Sequence, residues 1–97
     1  MKQIRYGERT WLVGDTTANT LMDYAAALAR ADSAEHVALT VLDINGAQEH
    51  LDLLIGPATM MTAEDAGDEF AEPDNTAMDE SMRASTDELL RRQDRAE

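Results

Sequence analysis

The stretch Asp43–Pro57, "DINGAQEHLDLLIGP", decides the fold, and it can be read in two ways. Asp43, Asn45 and Gly46 look like the opening of a calcium loop. Asn45-Gly46 between apolar runs is also a strong hairpin signal. An EF-hand loop places oxygen ligands at positions 1, 3 and 5 and glycine at 6. Counted from Asp43, position 5 is Ala47 and position 6 is Gln48, and the flanks are rich in β-formers, so the calcium reading fails.

The hairpin register follows from parity. Val37, Leu39 and Val41 should share one face, as should Leu51, Leu53 and Ile55. A two-residue Asn45-Gly46 turn sets Leu39 against Asp52 and mismatches the apolar faces. A three-residue loop, Ile44-Asn45-Gly46 with Gly46 left-handed as a bulge, sets Leu39 against Leu51 and Val37 against Leu53. One residue of slip flips every side chain, so face matching predicts the three-residue loop.

Upstream, "KQIRYG" and "TWLVG" alternate with the period of a strand, and Gly7-Glu8 suits the turn of a first hairpin. A two-residue turn there pairs Ile4 with Trp11, whereas a four-residue loop pairs Tyr6 with Trp11 and keeps the same faces. "DTTANTLMDYAAALARADS" then changes to helical spacing. Asp15, Thr16 and Thr17 offer capping oxygens, and Ala18, Leu21, Met22, Ala25, Leu28 and Ala29 form one stripe. The helix should end at Ala31-Asp32-Ser33 without a glycine cap. The expected fold class is α+β: a four-stranded antiparallel sheet in β-β-α-β-β order with one helix on one face. Gly56-Pro57 ends or bends the last strand, and "ATMMT" continues it briefly.

Charge divides the 97 residues. Residues 1–62 carry four bases and eight acids, a balance of −4, and residues 63–97 carry four bases and twelve acids, a balance of −8. The expected organisation is a compact body over 1–62, an acidic mobile linker over 63–76 and a helical or partly disordered tail over 77–97. The segment "EDAGDEFAEPDNT" has too little apolar area to offset the entropy of ordering. In the tail, Met78, Met82 and Leu89 fall on one side of a helix. Asp79–Arg83, Asp87–Arg91 and Glu88–Arg92 are acid-before-base pairs at four-residue spacing. Thr76-x-x-Asp79 and Ser85-x-x-Glu88 both resemble capping patterns, consistent with one long helix or two short ones broken near Ala84. Its apolar stripe is thin, so the helix is marginal without something to pack against.

By the same parity, the sheet face opposite the first helix carries Leu12, Ala38, Leu42 and Leu54, diluted by Thr40 and His50. A small core leaves little stability to spare, so a sister subunit, the C-terminal segment or a partner is expected to cover part of that face. The candidate interaction residues are Leu12, Leu42, Leu54, Phe70, Met78, Met82 and Leu89.

The formal net charge of −12 repels phosphates and anionic lipids and favours a basic partner. With no cysteine, disulfides, thiolate metal sites and cysteine nucleophiles are excluded. The N-terminus has no signal-like apolar run and no window is long enough to span a bilayer, so a cytoplasmic location is expected. His36 and His50 are the only imidazoles. The register places both on the outer face but roughly 13 Å apart, too far to share a metal ion. No serine has a neighbouring histidine or glycine-rich elbow, and no Walker or dinucleotide glycine pattern occurs. Neither catalysis nor a cofactor is expected.

"IRYG", "WLVGDTTANTLMDYAAALAR" and "HLDLLIGPATMM" resemble small uncharacterised actinobacterial proteins that share a Tyr-Gly first turn, an Ala/Leu helix and a last strand running into a Gly-Pro or His-Pro turn. The resemblance covers about residues 3–62 and implies the β-β-α-β-β pattern but no activity. Some proteins of this kind carry a DNA-ligase name; this chain lacks the lysine-centred nucleotidyl-transfer motif, its one lysine being Lys2. The functional expectation is a non-enzymatic interaction module that self-associates or docks through the outer sheet face, with its acidic tail against a basic surface. Its rivals are an acidic nucleic-acid mimic inhibiting a DNA- or RNA-binding protein, and a small enzyme using His36 or His50.

Overall fold

The computed structural model describes residues 1–96, with side chains described through residue 94. Its elements are β1 (Lys2–Tyr6), β2 (Arg9–Val13), α1 (Asp15–Arg30), β3 (Glu35–Leu42), β4 (Gln48–Ile55), β5 (Met61–Asp65) and α2 (Thr76–Ala96). The class is α+β with a wholly antiparallel sheet in the order β4-β3-β2-β1-β5.

The second hairpin has the register that parity selects, and the first takes the two-residue turn of the two that parity left open. Ile4 pairs with Trp11, and Gly7 opens the two-residue turn at φ +62°. Leu39 pairs with Leu51 and Val37 with Leu53. The Asp43 amide donates to the Ala47 carbonyl at 2.9 Å, which leaves Ile44-Asn45-Gly46 as the loop, with Gly46 at φ +90°. The Asp43 carboxylate is used within the turn, accepting from the Asn45 and Ala47 amides at 2.8 and 3.0 Å.

The sheet has five strands rather than the four expected. "ATMMT" does not prolong β4. Residues 61–65 cross to the far edge and pair with β1, Ile4 facing Ala63 and Tyr6 facing Met61. The boundary expected near Ala63 therefore falls inside β5. This crossing is possible because the sheet is coiled. Only Gly56–Met60 join β4 to β5, and a turn consumes part of that span, the Thr59 amide donating to the Gly56 carbonyl at 3.1 Å. In a flat sheet β1 and β4 would stand about 14 Å apart. Yet the Tyr6 hydroxyl donates to the Leu54 carbonyl on the free edge of β4 at 2.5 Å.

The concave face holds the core: Ile4, Trp11, Val13, Val37, Leu39, Val41, Leu53 and Ile55 close around Ala18, Leu21, Tyr24 and Leu28 of α1. The buried stripe of α1 is wider than expected and is turned toward Thr17, Thr20, Tyr24 and Ala27, while Met22 and Ala25 are half-buried and Ala29 is exposed. The reason is the second helix. α2 is one unbroken helix that packs beside α1, with Met82 fully buried and Met78 and Leu89 half-buried against the same core. Two helices, not one, cover this face.

The helix ends follow local chemistry. α1 starts one residue earlier than the capping oxygens suggest, from Gly14, which has no side chain to cap with. Asp15, Thr16 and Thr17 lie inside the first turn, and the Thr17 hydroxyl donates to Asp79 of α2 at 3.0 Å. Its C-terminus closes as anticipated without glycine: Asp32 takes the left-handed position at φ 51°, and the Ser33 amide returns to the Leu28 carbonyl at 3.0 Å. At the start of α2 the Asn75 carbonyl accepts the Asp79 amide at 2.8 Å, and the Asp74 carboxylate accepts the Thr76 amide at 3.0 Å, so capping falls before Thr76. Of the three ion pairs anticipated along α2, Glu88–Arg92 forms at 3.3 Å. Arg91 turns to Glu88 at 3.8 Å, and Asp79 bonds Thr17.

Candidate functional site

Residues 66–75 form a strap that leaves β5, crosses the convex face and delivers the chain to α2. Its first anchor is beside β1. The Ala66 amide donates to the Met1 carbonyl at 3.0 Å, and the Met1 ammonium lies 2.8 Å from Asp68 and 3.2 Å from Asp15. These contacts raise the pKa of the ammonium, and the ammonium holds the Asp68 carboxyl below its ordinary value. Phe70 and Ala66 then pack over Met1, Leu12 and Leu42, a second small apolar cluster on the convex face. Gly46 is required under the Phe70 ring, since a Cβ there would stand 2.6 Å from it.

The last anchor exploits a gap in the sheet. β2 touches β3 at one register position, Leu12 opposite Leu42, before the chain turns into α1. Beyond it the β3 edge is open, and the Asn75 side chain fills the opening. Its Oδ1 accepts the Thr40 amide and its Nδ2 donates to the Thr40 carbonyl, each at 2.8 Å. Asn75 is buried and takes the place of a neighbouring strand's peptide unit.

The candidate interaction residues thus separate. Leu12, Leu42 and Phe70 meet, but against one another. Met82, Met78 and Leu89 belong to the main core. Leu54 alone stands out on the convex face, 65% exposed. The cover expected over that face is the C-terminal segment, in the form of the strap. His36 and His50 lie opposite Leu54 and Thr40, as the register requires. The His36 Nε2 sits 3.0 Å from Asp52, and the His50 Nδ1 3.5 Å from the Thr40 hydroxyl. Among the described residues no cluster of three or more His, Asp or Glu has the geometry to hold a metal ion.

What the fold assembles instead is an acidic region around the first turn of α2. An open groove of about 540 Å³ runs between that turn and the β3–β4 hairpin, lined by Leu39, Leu51 and Met78 together with Asp52, Asp74 and Glu80. A second, of about 390 Å³, adjoins it and adds Glu72 and Asp79, with Arg83 at its side. The two share Asp74, Asn75, Thr76 and Glu80. Among the described residues no lysine or arginine lines the first groove, and His50 is its one imidazole. Hydrogen bonds from the Thr76 amide and hydroxyl hold the Asp74 carboxyl below its usual range. The Asp79 Oδ2 is taken by Thr17, while its Oδ1 is buried without a partner. Sequence reasoning missed this region because its acids come from three separate segments: β4, the strap and α2. The charge excess after residue 63 was its one visible trace.

No protein-family model matches the chain, and neither a curated protein nor a solved structure matches it. None of the helices is long and apolar enough to cross a membrane among the described residues.

Proposed function

We propose that the chain is a non-enzymatic interaction module whose acidic grooves at the start of α2 receive a basic segment of a partner protein. The observation that carries this reading is the first groove, where the carboxylates of Asp52, Asp74 and Glu80 share the lining with Leu51 and Met78, and the only basic side chain among the lining residues is the imidazole of His50. An arginine or lysine suits such a site, laying its aliphatic stem along the apolar lining and its charge among the acids. The net charge of −12 would steer such a partner toward it at low ionic strength.

An arginine-rich peptide titrated calorimetrically into the full chain tests the reading. A Glu72→Gln/Glu80→Gln double variant is expected to weaken binding about fivefold or more. An Asp87→Asn/Asp94→Asn control on the exposed part of α2 should match the unmodified chain. Equal weakening by both pairs would mean diffuse attraction by net charge and would reject the groove.

A second reading, the nucleic-acid mimic, gains support from one feature. Asp79, Glu80, Asp87 and Glu88 ride on a continuous helix rather than a loose tail. Arg83, Arg91 and Arg92 interrupt that array, which ranks it second. Salt-sensitive capture of a DNA-binding protein, competed by duplex DNA, is its distinguishing outcome.

A further inference from the structure

β4 is an edge strand eight residues long, free of proline and paired on one side only. The Asp43–Ala47 hydrogen bond fixes its phase. In the β3–β4 ladder the odd-numbered residues exchange hydrogen bonds, so Gln48, His50, Asp52 and Leu54 direct their amides and carbonyls outward. The Asn75–Thr40 contact, on the opposite side of β3, has the same phase. Of these outward groups, the Leu54 carbonyl has a partner among the described residues, the Tyr6 hydroxyl. The rest form an open template.

We infer that this edge pairs with the same edge of a second copy, antiparallel about a two-fold axis at Leu51, with His50 of each copy opposite Asp52 of the other. Charge selects the register. In an isologous antiparallel pair, outward-directed residues must face outward-directed residues. Centring on Glu49 opposes two glutamates, centring on His50 opposes two imidazoles, centring on Asp52 opposes two carboxylates, and centring on Leu53 sets Asp52 against Leu54 and gains no charge pair. Like charges directly opposite destabilise a ladder and unlike charges support it. Centring on Leu51 gives two His50–Asp52 pairs on the convex face and a leucine pair on the concave face, where Leu51 is half-exposed in the single chain. The usual guard of an edge, an inward-facing charge, is present as Glu49, but Arg9 stands 3.9 Å from it. Because Tyr6 holds the Leu54 carbonyl, the ladder rests on His50 and Asp52 of each copy.

Sedimentation of the full chain tests this at about 0.15 M salt, which screens repulsion between acidic copies. The expected result is a concentration-dependent dimer. His50→Asp and Asp52→His should each weaken it about tenfold or more. An equimolar mixture of the two variants should restore it as a heterodimer, since each aspartate then faces a histidine. His50→Pro removes an outward amide without touching the β3 ladder and should give a monomer with an unchanged circular dichroism spectrum. A chain that stays monomeric at millimolar concentration, or a dimer indifferent to these changes, overturns the inference. His50, Leu51 and Asp52 also line the first groove, so the Glu72 and Glu80 variants, which leave this edge intact, are the ones that separate failure of the groove from failure of the dimer.

Discussion

Asn75 and Asp74 are neighbours that close different gaps. Asn75 supplies both hydrogen bonds that the open edge of β3 lacks at Thr40. Replacing it with alanine leaves the Thr40 amide and carbonyl unpaired in a half-buried place and should cost about 1–3 kcal/mol in denaturant unfolding. Asp74 caps the first turn of α2, and the Thr76 amide and hydroxyl depress its pKa. A carboxyl whose folded pKa is lowered contributes stability that is complete above the unfolded value of about 3.9 and is lost as pH falls through the lower folded value. Helix content followed through an acid titration should therefore fall over that window, with a shallower slope in Asp74→Asn. Neither role was visible in the letters "PDN", which read as part of an acidic mobile linker. The Asn75 role exists only because β2 stops where β3 continues, a fact of tertiary geometry.

Among the elements, the strands of the two hairpins were legible because bulky residues alternate over long runs and a wrong register would have put leucines against acids. α1 was legible from its three- and four-residue spacing. β5 was not. "MTAED" is short, lies at an edge and carries three polar residues, and its partner β1 is some sixty positions away. α2 was expected to be marginal because Met78, Met82 and Leu89 make a thin stripe. The structure places that stripe in the main core, and Tyr24 of α1, its hydroxyl pKa raised by burial, lies near Ser85. Met82→Ala should cost about 2–5 kcal/mol, the range for emptying a buried methionine site, measured by chemical denaturation. An effect below about 0.5 kcal/mol would mean that α2 does not dock in solution.

At the scale of the molecule, the division into body, linker and tail is where composition and contact diverge. Residues 63–76 have the composition of a solvated linker, yet they supply the end of β5, the Phe70 cover over Leu12 and Leu42, and the Asn75 clasp. Composition counts apolar area, whereas this segment is held by a few well-placed contacts. A fragment of residues 1–62 was expected to fold alone. With these contacts in view, it is expected to lose cooperative unfolding and native circular dichroism, and a fragment that keeps both would restore the three-part division. The acidic region around the start of α2 was the least legible feature, since its charges gather from segments far apart in the chain.

Because a carboxamide stands where a strand would, the amide proton of Thr40 is sealed by a group that can leave without disturbing the ladder to β4. Its exchange with deuterium should be slow in the intact chain and rapid in Asn75→Ala, while the amides of Leu39 and Val41, which face β4, stay protected in both. A single nitrogen–proton resonance in the middle of the sheet thus reports whether the last third of the polypeptide is seated.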